Sequence, residues 1–139
     1  MITYVLDTNT VSYFIRGEGN VGVNFQKKIV LERNFYAIPY VVVYELRRWL
    51  EDKPTKQMLL FSSQFSDLFD IVATKANIET TAWNIAIEIY IDLKQKGQLI
   101  SDSDMLIAAY CITKNYTLVT RNERDFERIA NLKLINWFE

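Results

Sequence analysis

The chain reads as an α/β fold: a parallel sheet flanked by helices on both faces. Short strand-forming runs alternate with apolar helical patterns from the first residues to the last. ITYVLD followed by TNTVSYFI is repeated as FYAIP followed by YVVVYELRRWLED, so a strand leads into a helix twice. Parallel strands joined through helices satisfy such a series, because each crossover helix covers a face of the sheet.

The first strand ends abruptly at Asp7, and Thr8, Asn9 and Thr10 open a helix running to about Arg16 with Val11, Phe14 and Ile15 on its apolar side. GEGN, residues 17 to 20, breaks it. Residues 21 to 33 form a second helix through Val23, Phe25, Ile29, Val30 and Leu31, with Lys27 and Lys28 on a solvated face. A short strand over residues 35 to 39 closes at a proline and leads into the third helix. Pro54 suits the first turn of a further helix that reaches Phe69 through Met58, Leu59, Phe61, Phe65 and Leu68. DIVAT, residues 70 to 74, is a candidate strand. A long helix from about Ala76 to Lys96 follows, carrying Ile78, Ala82, Ile85, Ile89 and Leu93, and Gly97 ends it. The next helix begins near Ser101 or Asp102 and continues to about Lys114. The strand TLVT, residues 117 to 120, a helical turn RDFERI and a last strand LKLINWF complete the order.

With 139 residues the expectation is one domain over residues 1–139, large enough to bury about 70% of its unfolded surface without a disulfide staple. Half of the residues are apolar, which argues against disorder, and no apolar run approaches the ~20 residues of a membrane helix. MITYVLD enters a strand directly with no basic region or cleavage site, so the expected location is the cytoplasm. The lone cysteine, Cys111, lies in MLIAAYCI and is expected to be a small buried residue. The absence of histidine excludes Ser-His and Cys-His triads, histidine bases and histidine metal sites. A net charge of −1 gives no global attraction to nucleic acid, so any polyanion must be held locally.

Carboxylates in apolar places carry the chemistry. Asp7 stands at the carboxyl end of a buried strand, where open α/β sheets bind ligands, and is either a helix cap or a site residue. Capping can fall to Thr8 or Asn9 instead, which would leave the carboxylate free. Glu45 shares a core-facing stripe with Val42, Leu46 and Trp49, where a carboxylate requires a partner: a cation, or a salt bridge to Arg47, Arg48 or another element. Asp104 precedes Ile107, Ala108 and Cys111 on the inner side of its helix, and Ser101 and Asp104 have the spacing of a capping box; Asp102 is an alternative N-cap. Asn122 and Asp125 lie just beyond TLVT. In a parallel sheet the segments after strands one, two and TLVT emerge at one edge, gathering Asp7, Glu45 and Asn122 or Asp125, with Asp104 brought in by its helix.

Two carboxylates about 5 Å apart repel by roughly 3 kcal/mol at an effective dielectric near 20. A cluster of them calls for a cation, and oxygen donors alone suit Mg²⁺ or Mn²⁺. Such a site suits phosphodiester or phosphate chemistry. Arg121, Arg124 and Arg128 either hold neighbouring phosphates or form a solvated face interleaved with Glu123 and Glu127.

LDTNT, YELRR around Glu45, SDSDMLIAAYC around Asp104, and TLVTRNERDFERI followed by LKLINWF together resemble the PIN-domain family, specifically the VapC-type toxins of bacterial toxin–antitoxin pairs. The resemblance covers essentially the whole chain. It implies a Rossmann-like PIN fold and a Mg²⁺-dependent endoribonuclease, often a homodimer, held inactive by a small antitoxin protein. Asp7, Glu45 and Asp104 fall on the family's three main acidic positions, with Asp7 and Asp104 as the principal metal ligands. Many relatives place an aspartate where this chain has Asn122, and others use the acid matching Asp125. Asn9 and Thr120 match polar residues that support the site by orienting it. The implied reaction is attack of metal-bound water on an RNA phosphodiester, with Glu45 ligating through water or deprotonating the nucleophile.

Two other readings compete. DTNT resembles the DxDxT opening of haloacid-dehalogenase-like phosphatases, although Asn9 stands where their acid/base belongs. A non-catalytic PIN domain would bind RNA or a partner without cutting it.

Overall fold

In the computed structural model, residues 1–52, 56 and 80–139 are described. Four parallel strands form one sheet in the order β2-β1-β3-β4: β1 is Thr3–Leu6, β2 Phe35–Ala37, β3 Thr117–Val119 and β4 Lys133–Ile135. The predicted parallel sheet with flanking helices is therefore observed. β1 is central because it pairs on both sides, Val5 opposite Ala37 and Leu118. Tyr4, Val5 and Leu6 are accordingly buried in succession rather than alternately, the pattern of a strand covered on both faces.

The helices are α1 (Thr8–Arg16), α2 (Val21–Phe25), α3 (Tyr40–Asp52), α4 (Thr80–Gln95), α5 (Asp102–Lys114) and a short α6 (Glu123–Phe126). The expected second helix over residues 21 to 33 is only partly regular: after Phe25 the chain widens into a π-helical turn, Gln26–Leu31. That winding carries Val30 and Leu31 to the surface, against the expectation of a continuous apolar face, and Val23 is exposed as well. The last strand is the three residues Lys133–Ile135 rather than the whole of LKLINWF. Apart from Lys56, which is helical and exposed, the expected helix from Pro54 to Phe69, the strand DIVAT and the first residues of the long helix lie outside the described residues.

The core is built from β1 and β3, from Val42, Val43 and Leu46 of α3, and from Ile107, Ala108, Ala109 and Cys111 of α5. Trp137, beyond β4, is fully buried against Tyr4 at 5.1 Å between ring centroids. The segment that follows is stitched to the turn after α1: Asn20 N–H donates to the Phe138 carbonyl at 2.9 Å. Gly19 makes this possible, since its φ of +61° is left-handed and a Cβ there would lie 2.7 Å from the Phe138 ring.

The connections run from β1 outward to β2 and then back across to β3. The carboxyl ends of β1 and β3 are therefore where the chain departs in opposite directions, the crevice in which open parallel sheets bind ligands. Asp7 and Thr120, the residues directly beyond these two strands, are both buried there.

Candidate active site

Asp7 is not left free by a neighbouring cap, as the sequence had suggested: it is itself the N-cap of α1, its Oδ1 accepting from Thr10 N at 2.8 Å. Thr8 and Asn9 already have helical backbone, so the cap position falls one residue earlier than expected. Asp7 is only 5% exposed, and burial raises its pKa above 3.8. Hydrogen bonds from Thr10 and Thr120 oppose that rise, and the negative charge of Glu45 adds to it. Thr120 is placed for this by accepting from Asn122 N at 3.0 Å, while Thr10 Oγ1 donates to the Val119 carbonyl at 3.1 Å. The end of β3 is thus tied to the start of α1 around one carboxylate.

Asp104 sits in the first turn of α5, whose N-cap is Ser101, the hydroxyl accepting from Asp104 N at 3.2 Å. The N-cap half of the expected capping box is present in this bond from Asp104 N to Ser101, and Asp102 is not the cap; it is exposed beside Trp83 and Met105. Asp104 is half-buried, and its pKa is raised to about 6, first by burial and then by the charges of Asp7, Glu45 and Asp125. Those three couplings place all four acids in one electrostatic neighbourhood.

Glu45 lies at the rim of the α3 stripe rather than in its centre. Val42 and Leu46 are buried, but Trp49 is 43% exposed, because the apolar face ends one turn earlier than the sequence suggested. Its partners are hydroxyls: Thr8 Oγ1 donates to Oε1 at 2.7 Å and Ser103 Oγ to Oε2 at 3.2 Å. Among the described residues no Lys or Arg pairs with it; Arg47 goes to Glu51 at 3.3 Å and Arg48 lies over Tyr44. In the sequence Thr8 stands only as a candidate cap, and Ser103 has no role. The signal was their position, one hydroxyl immediately after Asp7 and one immediately before Asp104.

Asn122 and Asp125 are joined rather than alternative: Asn122 Nδ2 donates to Asp125 Oδ2 at 2.9 Å, and Arg128 pairs with Asp125 Oδ1 at 3.4 Å. Asn122 makes no side-chain capping bond. Asn9 is exposed and its side chain makes no hydrogen bond among the described residues, so of the two expected orienting residues only Thr120 touches a carboxylate. Cys111 is buried with its thiol pKa pushed up by burial, which suits packing and not chemistry.

No three of the described acids stand close enough to enclose an ion by themselves. A small hard cation does not need that: Mg²⁺ keeps several waters and takes one or two carboxylates. The donor set fits it, being all oxygen, and the N-termini of α1 and α5 converge on the acids with their positive dipole ends. The acids' mutual repulsion is what a bound cation would relieve.

Comparison with known proteins gives the family and the fold. Residues 4–132 match the PIN domain family. The chain is 32% identical to Ribonuclease VapC2 of Rickettsia felis, over 96% of this chain and 97% of that one. It is 26% identical to the tRNA(fMet)-specific endonuclease VapC of Salmonella typhimurium, over 99% of both chains. Among solved structures it is similar to VapBC2 of Rickettsia felis bound to a DNA fragment from its promoter, with a TM-score of 0.83 and 29% identity over 98% of this chain and 99% of that one. DNA-bound VapBC from Salmonella typhimurium shares the fold, with a TM-score of 0.81 at 22% identity over 99% of both chains.

Proposed function

Since this chain belongs to the PIN domain family, we propose that it is a VapC-type endoribonuclease, the toxin of a toxin–antitoxin pair, cutting RNA at the acid cluster. One observation supports the choice of site: Asp7, Glu45 and Asp125, from three separate stretches of sequence, all lie near enough to Asp104 for their charges to bear on it, at the carboxyl edge of the sheet. The RNA substrate accords with the ribonuclease relatives, and a small antitoxin partner with the VapBC complexes. The protein works as a cytoplasmic homodimer in this reading; no helix among the described residues is long and apolar enough to cross a membrane.

Asp7 and Asp104 would hold a divalent cation, Mg²⁺ or Mn²⁺. When bound, the ion neutralises charge on the phosphate and lowers the pKa of water. Thr8 and Ser103 fix the two oxygens of Glu45, which positions the attacking water and takes its proton. Asn122 and Arg128 fix Asp125, the fourth carboxylate, and Thr120 holds Asp7. Orienting bonds of this kind are worth about 10- to 100-fold in activity at metal centres. Thr8→Val is therefore expected to lower the cleavage rate about 10-fold with little change in melting temperature, read from initial rates and a thermal scan.

The family match sets aside the haloacid-dehalogenase-like phosphatase, and Asn9, an amide whose exposed side chain makes no hydrogen bond among the described residues, offers no acid/base in its place. The test is to incubate partner-free protein with total RNA in Mg²⁺, in EDTA, and in EDTA followed by excess Mg²⁺. Cleavage should stop in EDTA and return with the metal. Cleavage indifferent to EDTA contradicts the mechanism, and RNA binding without any cleavage supports the non-catalytic reading.

A further inference from the structure

Immediately beside the acid cluster, between Thr120 and Asn122, stands Arg121. Its neighbours in sequence both face the acids, through Thr120 to Asp7 and Asn122 to Asp125. Arg121 instead turns outward onto two aromatic rings. Its guanidinium lies 3.6 Å from the centre of the Phe138 ring and 5.7 Å from that of Tyr13. The rings are themselves fixed, packed edge-on at 4.7 Å, with Phe138 seated against Gly19.

This arrangement has no structural debt to a carboxylate. Arg16 pairs with Glu18 at 3.4 Å and Arg128 with Asp125 at 3.4 Å, whereas Arg121 is exposed and has no acidic partner among the described residues. A guanidinium stacked by its face keeps its N–H edge available, the edge that matches a phosphate. Stacking also removes most of the rotamer freedom that an arginine otherwise loses on binding. Tyr13 lies six residues beyond Asp7 on α1, which places the seat roughly 9 Å along the helix axis from the cluster.

A chain with a net charge of −1 and four clustered acids repels a polyanion unless a fixed cation offsets them nearby. We propose that Arg121, seated on Phe138 and Tyr13, is a phosphate-binding residue that holds the RNA backbone beside the cleavage centre. The proposal rests on the ribonuclease reading and adds a substrate contact to it.

The test compares wild type with Arg121→Gln, Arg121→Lys and Phe138→Leu on a short single-stranded RNA. Cleavage is followed in Mg²⁺ and binding in EDTA over a range of salt. Losing a charge-assisted phosphate contact should raise KM about 10- to 100-fold in Arg121→Gln, with kcat within about twofold. The salt dependence of binding, as log K against log salt, should flatten by about 0.7. Arg121→Lys should recover most of the affinity, and Phe138→Leu, which keeps the charge but removes its seat, should show a smaller rise in KM. Wild-type cleavage with unchanged KM and salt slope in Arg121→Gln overturns the proposal and leaves the nuclease reading intact. So does a lowered melting temperature alone, which marks a structural staple, or weakened antitoxin binding at unchanged RNA affinity. Absence of RNA binding and cleavage in the wild type overturns both.

Discussion

Asp104→Asn is expected to lower RNA cleavage by at least about 10³-fold while making the metal-free protein more stable at neutral pH. The loss follows from removing a principal cation ligand, an interaction worth several kcal/mol at the transition state. The gain follows from electrostatics. The folded-state pKa of Asp104 is raised from 3.8 to about 6, so the native state binds this proton more tightly than the unfolded chain. Below pH 3.8 the group is protonated in both states and costs nothing; as pH rises through about 6 the folded protein is left with a charge that burial and three acids disfavour. The full displacement corresponds to ~3 kcal/mol, which solvent screening at this half-buried position reduces to ~1 kcal/mol. In EDTA, wild type should therefore lose about 3–5 °C in melting temperature relative to the variant between pH 4 and pH 7.5. Equal melting curves at both pH values would show that the acids do not strain the fold. A structural role for Asp104 predicts the opposite sign, since breaking a stabilising contact lowers Tm.

Asp7 separates two roles within one side chain. Asp7→Asn keeps an oxygen that can accept from Thr10 N, and asparagine caps helices as well as aspartate does; Asp7→Ala cannot cap. Both variants lose the buried charge, so the desolvation term cancels between them. Cleavage should be lost at least about 10³-fold in each, but Asp7→Ala should be less stable than Asp7→Asn by ~1 kcal/mol, the typical worth of an N-cap. Denaturant unfolding of the two variants measures the difference. Retained cleavage in Asp7→Asn would reduce Asp7 to a cap.

The fold was legible because β1, β3 and the helices after them have strong local patterns: Tyr4, Val5 and Leu6 are continuous because both sheet faces are covered. The π-helical turn after Phe25 was not, since QKKIVL has the composition of an ordinary helix and its winding is decided by what it packs against. At the site, the position of an acid after a strand identified Asp7, and helical spacing identified Asp104. Sequence posed Asp7 as cap or site residue, whereas a carboxylate has two oxygens: one caps, and the group still faces the acids. Asn122 and Asp125 looked like competitors because a hydrogen bond between side chains three residues apart leaves no mark in composition. The arginines were hardest. Read as either phosphate contacts or a solvated face, Arg121 and Arg124 are exposed, while Arg128 pairs with Asp125 and Arg121 lies over Phe138 at the far end of the chain.

The central claim is that these carboxylates are gathered to hold a divalent cation. Its most direct test is the binding of Mn²⁺ to metal-free protein at pH 7.5, followed by calorimetry or by the loss of the free-ion electron paramagnetic resonance signal. Saturable binding to wild type, weakened at least about 10-fold in both Asp7→Asn and Asp104→Asn, is the predicted result. Binding of equal strength in wild type and both variants would contradict it.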